Sequence, residues 1–489
     1  LRRSLLALVL LGSITLGATA VTLLPGLEYL RFATRGDLGI DAKGNGFPPQ
    51  DVMQMLWPGS VSLWSPLFVG ITGLLLVGTA LAARVRYSRF WGIAAGLAFL
   101  LSLGHHTAFY DLLYQILPGL RFFRGQERAA LLVAHSLAIL AGLGAAHLDH
   151  KAAARWLRKG AQGLLVFCVA LALAVFLLWA GQVGSFGELT RQAFFAAGTT
   201  LTVWAVLRWI PPRWFGLALS VILAFELFSV GMNAPSNYDS LPAEAQLSIE
   251  APELLRPVLA DADNPVFRVD GFRGLQGNYG SLYGIADIRG ISPLFLGSAY
   301  ELIYRDYIFN PLAWELFAVR YVFSERDRFG QRTTEVIAQG NDRDGVVFLH
   351  HLEDARPFAH LMYEHEVIPD GESAVARLKS DDFDARRTLL LQAAPNPEPG
   401  SASVKDQVSI QTFRPEYIQG TVTVSNAALL SLALLDYPGW HARLNGEELP
   451  LMRAYGALTA LAIPAGQHQF ELIYDPASYR LGAVLSLFT

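Results

Sequence analysis

Three arginines, Arg121, Arg124 and Arg128, crowd into the stretch GHHTAFYDLLYQILPGLRFFRGQERAALL, residues 104–132. A guanidinium presents a planar fork of donors that matches a phosphate or diphosphate, and spacings of three and four bring side chains to one face of a helical turn. The chemistry this suggests is capture of a lipid-linked phosphate at a membrane surface. Pairing with Asp111 and Glu127, or generic contact with lipid headgroups, accounts for the same residues equally well. A second charged group, Glu28, Arg31, Arg35, Asp37 and Asp41, follows the first apolar run. Its carboxylates have the chemistry to deprotonate an acceptor hydroxyl or to hold a divalent ion through oxygen ligands, and ordinary solvated loop charges look no different. Arg121, Arg124, Arg128, Glu28, Arg35 and Asp37 are therefore the candidate substrate-binding residues.

Other groups carry less. Glu226 lies inside an apolar run, where an ionisable side chain is costly and turns toward the bundle interior, so a helix-packing or cavity role is expected. His105 and His106 are adjacent and point apart on a helix. His360, Glu364 and His365 have helical ligand spacing, but the alternation in HLMYEHEVI reads as a strand, and no metal site is expected. GFRGLQGNYG, residues 271–280, has glycines every third residue without a strand-to-helix unit, so it reads as a flexible outer loop and not a nucleotide cradle. Tyr279, Tyr283, Tyr300, Tyr304 and Tyr307 have the faces to stack on sugar rings, although the spacing of the last three favours packing, as core packing is favoured for Trp440. No Ser-His-Asp or Cys-His arrangement is present.

The elements that must position these residues are read from composition. Up to Pro235 there are 18 Lys and Arg against 9 Asp and Glu, and beyond it 20 against 33, a basic membrane part followed by an acidic outer part. Basic loops anchor membrane helices, so no nucleic-acid partner is inferred. Cys168 is the only cysteine, and no intrachain disulfide can form. Apolar runs at 5–24, 66–83, 90–103, 129–148, 163–183, 193–207 and 215–230 are each near the ~20 residues needed to cross a bilayer. Seven spans are predicted. The basic clusters at Arg2, Arg84, Lys151 and Arg208 then fall on every second connection, which puts loops 25–65, 104–128 and 184–192 outside the cytoplasm.

After residue 232 the chain becomes a polar linker, NAPSNYDSLPAEAQ, and then short alternating runs at 266–269, 319–323, 346–349, 418–424 and 429–435 that read as strands. Helical patches are expected at 250–259 and 371–378, and a linker at 396–403. Asn445-Gly446 and Ala465-Gly466 are read as hairpin turns. The expected fold is a polytopic α-helical membrane bundle, 1–232, followed by an extracytoplasmic α+β domain, 233–406, that ends in a β-sandwich, 407–480. Residues 481–489 read as the opening of a further transmembrane helix, and the chain is expected to be a fragment cut at both ends.

Four stretches carry a resemblance to a known family: LPGLEYLRFATRGD at 24–37, the arginine loop at 104–132, NPLAWELFAVRYVFSE at 310–325, and LLDYPGWHARLNGEELPLMRAYGALTALAIPAGQHQFELIYDP at 434–476. Together they resemble the YfhO family of bacterial membrane proteins, whose members resemble the GT-C class of polytopic glycosyltransferases. The resemblance implies transfer of a sugar from a polyprenyl-phosphate donor to an envelope glycan or polymer acceptor, on the outer face of the bacterial cytoplasmic membrane. It also implies an acidic catalytic residue in the first outward loop of the complete protein, expected upstream of Leu1, so no catalytic base is assigned here. A divalent cation is a possible cofactor. The rival expectation is a non-catalytic membrane anchor whose β-sandwich binds envelope glycan or protein.

Overall fold

A computed structural model describes residues 2–34, 40–58, 67–117, 120, 123–181, 187–231, 251–264, 266–275, 279–290, 294–304, 310–330, 334–342 and 344–489. The polar linker at 233–246 and the residues Arg35, Asp37, Arg121 and Tyr307 lie outside these. The chain divides into two compact units, Leu1–Asp37 with Ser248–Thr489, and Leu38–Leu247. The first helices thus pack with the β-rich region rather than with the helical bundle, a grouping that the run of composition does not reveal.

The chain begins with α1 (Arg2–Ala18) and α2 (Ala20–Phe32), bent by 75° at their junction. A single straight span over 5–24 was the expectation; hydropathy is continuous through Thr19 and hides the break. Residues 25–32, expected in a loop, continue α2, with Pro25 inside the helix.

The helical unit follows with α3 (Ile71–Ala82), α4 (Ser88–Ser102), α5 (Ala108–Ile116), α6 (Ala130–Ala145), α7 (Lys151–Ala180), α8 (Gly187–Trp209) and α9 (Phe215–Gly231). Among the described residues three helical segments, Gln126–Ala145, Lys151–Ala180 and Pro212–Gly231, are long and apolar enough to cross a membrane, and the bent pair makes a fourth if read as one span. Ile71–Ala82 and Ser88–Ser102 are apolar but shorter. The short α3 is the centre of this unit: Ile71, Leu75 and Leu76 pack into one cluster with α7 and α8, while Val77 and Ala80 join another with α4 and α6. Gly144 makes the α3–α6 approach possible, since a Cβ there would lie 2.1 Å from the Leu76 carbonyl oxygen.

The remaining unit adds α10 (Gly297–Ile303), α11 (Pro311–Leu316), α12 (Gly371–Leu378) and α13 (Ala477–Leu487) to three sheets. The first contains β1 (Arg268–Asp270), β2 (Val319–Ser324), β3 (Glu335–Asp342) and β4 (Gly345–His351) in the order β1-β2-β4-β3, with β1 and β2 parallel. The second joins β5 (Ala359–Met362), β6 (Glu364–Val367), β7 (Thr388–Leu391), β10 (Ala428–Leu435), β13 (Met452–Ala454) and β14 (Leu458–Ile463) in the order β5-β10-β14-β13-β7-β6. The third is antiparallel, β12-β11-β15-β9-β8, from β8 (Gln407–Arg414), β9 (Tyr417–Val424), β11 (Trp440–Leu444), β12 (Glu447–Leu449) and β15 (Gly466–Tyr474).

The six-stranded sheet is covered on both faces, which is why β10 and β14 are buried along their length rather than at alternate residues. Leu430, Leu432, Leu461 and Ile463 meet Val422, Phe470 and Leu472 of the five-stranded sheet; Leu429, Leu458 and Ala460 join a second core with Trp314, Phe317 and Val322. The sandwich therefore recruits strands from 359–391, outside the 407–480 expected for it. Asn445 and Gly446 both have positive φ, 54° and 88°, and close the β11–β12 hairpin as expected. Ala465-Gly466 does not close a hairpin. It carries the chain from β14 in one sheet to β15 in the other, because both strands already have antiparallel partners.

Candidate functional site

A cleft of about 450 Å³ forms around the segment Asp436-Tyr437-Pro438-Gly439-Trp440, which leaves the end of β10 and enters β11. Pro438 cannot extend the strand, and Gly439, at φ 103°, turns back so tightly that a Cβ would meet Pro476 at 2.9 Å. The Gly439 carbonyl accepts from the Asp475 N–H at 2.7 Å, fixing the loop to the start of α13. The same packing lines up aromatic rings. Trp440 lies 5.2 Å from Tyr474, and Tyr437 lies 6.4 Å from Tyr474, 6.0 Å from Tyr29 and 5.6 Å from Phe32. Trp440 is half-buried and packs against the core between the sheets, as expected, and it also lines the cleft.

Polar groups at the wall complete the site. Arg453 Nε lies 3.5 Å from Asp436 Oδ2 and donates to the Gly456 carbonyl at 2.8 Å. Burial raises the Asp436 carboxyl above its ordinary range, against the opposing pull of Arg453. Burial chiefly, with Tyr474 and the Glu28 carboxylate adding to it, pushes Tyr437 up to about 12, so its hydroxyl remains a donor at neutral pH. A cleft of this volume with apolar rings and a few convergent polar groups suits a small organic ligand. A pyranose fits that chemistry, with a C–H face for the rings and hydroxyls for Arg453, Asp436 and Ser298.

Among the residues singled out from sequence, Glu28 is half-buried on α2 and acts electrostatically on Tyr437 and Tyr474. Arg31 is exposed. Arg124 and Arg128 are exposed and, among the described residues, neither has an ion-pair partner. They do not share a helical face: Gly125, at φ 75°, separates Arg124 from the single turn Gln126–Ala129 that holds Arg128. Asp111 pairs with His105 at 2.7 Å. The loop itself is held by His105 N–H to the Gly44 carbonyl at 2.7 Å and Gln126 N–H to the Asn45 carbonyl at 2.8 Å.

Glu226 is fully buried and accepts the Thr72 N–H, at 3.1 and 3.3 Å, near the N-terminus of α3, where amides lack intrahelical partners. Its role is packing of α9 on α3. His360 is on β5, accepts from Arg356 Nε at 2.9 Å and is held neutral, its pKa lowered to about 2 by burial and then by Arg356. Among the described residues no group of three His, Cys, Asp or Glu side chains is placed to hold a metal ion. The loop at 271–275 is anchored rather than loose, through Gly271 N–H to Asp287 at 3.0 Å and Arg273 to Asp342 at 2.7 and 2.9 Å. Tyr300 and Tyr304 stack on one another at 5.4 Å.

Sequence reasoning missed Asp270. It is fully buried, takes Arg289 Nε at 2.5 Å and Nη2 at 2.9 Å, and accepts from Trp314 Nε1 at 2.7 Å. The only local signal is a lone carboxylate ending an apolar strand, in VFRVDGF, and its partners lie 19 and 44 residues away.

The chain thus combines an N-terminal helical region, with three candidate membrane spans among the described residues, with a C-terminal region of layered sheets. Residues 401–486 match the family described as bacterial membrane protein YfhO. The match covers the Tyr-Pro-Gly-Trp loop, the five-stranded sheet and α13, and agrees with the resemblance carried by 434–476; the stretches at 24–37, 104–132 and 310–325 fall outside it. No curated protein and no solved structure matches the chain.

Proposed function

We propose that this chain is part of a membrane glycosyltransferase-like protein that moves a sugar from a polyprenyl-phosphate donor to a cell-envelope acceptor on the outer face of the membrane. The observation that carries the reading is the aromatic cleft, whose Tyr437, Trp440 and Arg453 lie within the family-matched residues. In this reading the cleft takes a saccharide of the acceptor, and the exposed guanidinium groups of Arg124 and Arg128, with Arg121 in the same loop, take the donor phosphate. Glu28 on α2, with Arg35 and Asp37 further along the sequence, belongs to acceptor recognition.

A steady-state assay on the full-length protein in membranes tests both assignments. Trp440→Ala should raise KM for the acceptor by about tenfold with kcat little changed, as expected for loss of uniform binding. Arg124→Ala with Arg128→Ala should raise KM for the lipid-linked donor and leave the acceptor KM alone. Unchanged parameters in both variants would remove the reading. A second reading, a non-catalytic glycan-binding module, is favoured by the engagement of Asp436 with Arg453, which leaves the cleft carboxylate as a binding group and not a free base. Glycan binding by the full-length protein without sugar transfer would select it.

A further inference from the structure

At the polar end of the helical hairpin α7–α8, Arg158 and Gln162 from α7 and Trp204, Leu207 and Arg208 from α8 enclose a cavity of about 350 Å³. Neither arginine has an ion-pair partner among the described residues, so two guanidinium groups from different helices converge on one cavity without a counter-charge. Topology alone asks for basic residues near the ends of spans, but not that two of them share a cavity with an amide and an indole. Along α7 the face bearing Arg158 and Gln162 continues, at helical spacing, into exposed Val166, Val169 and Leu173; on α8 the face of Arg208 and Trp204 continues into exposed Leu201. A polar, cationic recess followed by an apolar stripe is matched by an amphipathic anion.

We propose that this recess binds the headgroup phosphate of an anionic phospholipid, with the Arg158 and Arg208 forks on the phosphate oxygens, Gln162 on a headgroup hydroxyl, and the acyl chains along Val166, Val169 and Leu173. Basic recesses between membrane helices are suited to such headgroups: the guanidinium forks hold the phosphate, and the net negative charge of the lipid, with no choline ammonium to oppose two cations, supplies the selectivity over zwitterionic lipids. The site is independent of the sugar-transfer reading, since it needs neither the cleft nor the loop arginines.

Native mass spectrometry of the full-length chain, released from neutral detergent with phosphatidylglycerol, phosphatidylcholine or inorganic phosphate added, tests it. Phosphatidylglycerol adducts should exceed phosphatidylcholine adducts by about tenfold, the ratio that loss of one charge-assisted contact would remove. The preference should vanish in Arg158→Gln with Arg208→Gln, fall partly in Arg208→Lys, which keeps the charge and loses the fork, and persist in Arg155→Gln, an exposed charge on α7 that does not line the cavity. Equal adducts of the two lipids would overturn the proposal, as would equal loss in Arg155→Gln. Saturable inorganic phosphate adducts without lipid preference would overturn the lipid assignment and give the recess to a free ion. All these positions are solvent- or lipid-exposed, and an unchanged circular dichroism spectrum separates loss of binding from loss of fold.

Discussion

Asp270 illustrates how a single side chain can be essential to folding and silent in sequence. Its carboxylate gathers three side-chain donors in a fully buried setting, and Arg289 in turn stacks against the rings of Phe272 and Tyr304 at 5.1 and 5.4 Å. Removing one partner strands a buried charge, so Asp270→Ala should cost about 3–5 kcal/mol of stability in chemical denaturation of the full chain. Replacing both partners, Asp270→Leu with Arg289→Met, should cost less than the single change, and a larger loss in the double variant would refute this view of the pair. Asp342 supplies a pH test. Hydrogen bonding from Arg273 holds its carboxyl down at about 2, against about 3.8 ordinarily. A depressed folded-state pKa contributes stability above the unfolded value, lost as pH falls through the folded one. The thermal midpoint should therefore drop between about pH 4 and pH 2, and Asp342→Asn should flatten that drop. None of these pairings was legible from sequence, because each joins residues far apart along the chain; the exposed arginines Arg124 and Arg128 were legible, but the break that keeps them off a common face was not, since Gly125 leaves the helix.

At the scale of elements, local pattern was informative wherever one rule acted alone. The alternation of β9 and the Asn445-Gly446 turn announce themselves, and α12 falls where its helical pattern put it, capped by the Asp370 side chain on the Ser373 N–H. Sheet membership was not legible, since Ala465-Gly466 has the composition of a hairpin turn and the choice of partner is made by β9 and β10. The bend between α1 and α2 was equally hidden, and the side chain that satisfies its backbone groups lies at the other end of the chain. Val21 N–H, an amide without an intrahelical acceptor at the start of α2, donates to Ser486 Oγ at 3.0 Å, and that hydroxyl donates to the Gly17 carbonyl at 3.0 Å. Gly482 lets α13 approach this junction, for a Cβ there would meet the Ala20 carbonyl oxygen at 2.4 Å and Val21 Cα at 2.8 Å. Because those atoms are backbone and cannot rotate away, Gly482→Ala should destabilise the packing of α13 on α2 by about 1–3 kcal/mol, read as a lowered thermal midpoint. An unchanged midpoint would show that the two helices can separate freely.

Over the whole molecule, the sequence divides by composition at residue 232, whereas packing gathers both chain ends into one unit. The cleft depends on that gathering. Tyr29 donates to the Leu294 carbonyl at 2.8 Å, Thr34 N–H donates to the Phe295 carbonyl at 2.8 Å, and Ala33 pairs with Leu296 as an isolated bridge. These bonds hold the end of α2 beside the Tyr-Pro-Gly-Trp loop, so that Tyr29 and Phe32 back the ring of Tyr437 from more than four hundred residues away in sequence. If the cleft recognises a saccharide, its wall must fail when either end of the chain is altered. Tyr29→Ala should then weaken binding of envelope glycan fragments, followed by tryptophan fluorescence, in the same direction as Tyr437→Ala and by about tenfold. Tyr29→Phe keeps the ring and loses only the bond to Leu294, so it should lower stability by about 1 kcal/mol and leave affinity nearly intact. Loss of binding in Tyr437→Ala with full binding in Tyr29→Ala would separate the loop from the helix behind it, and the cleft would then belong to the sandwich alone.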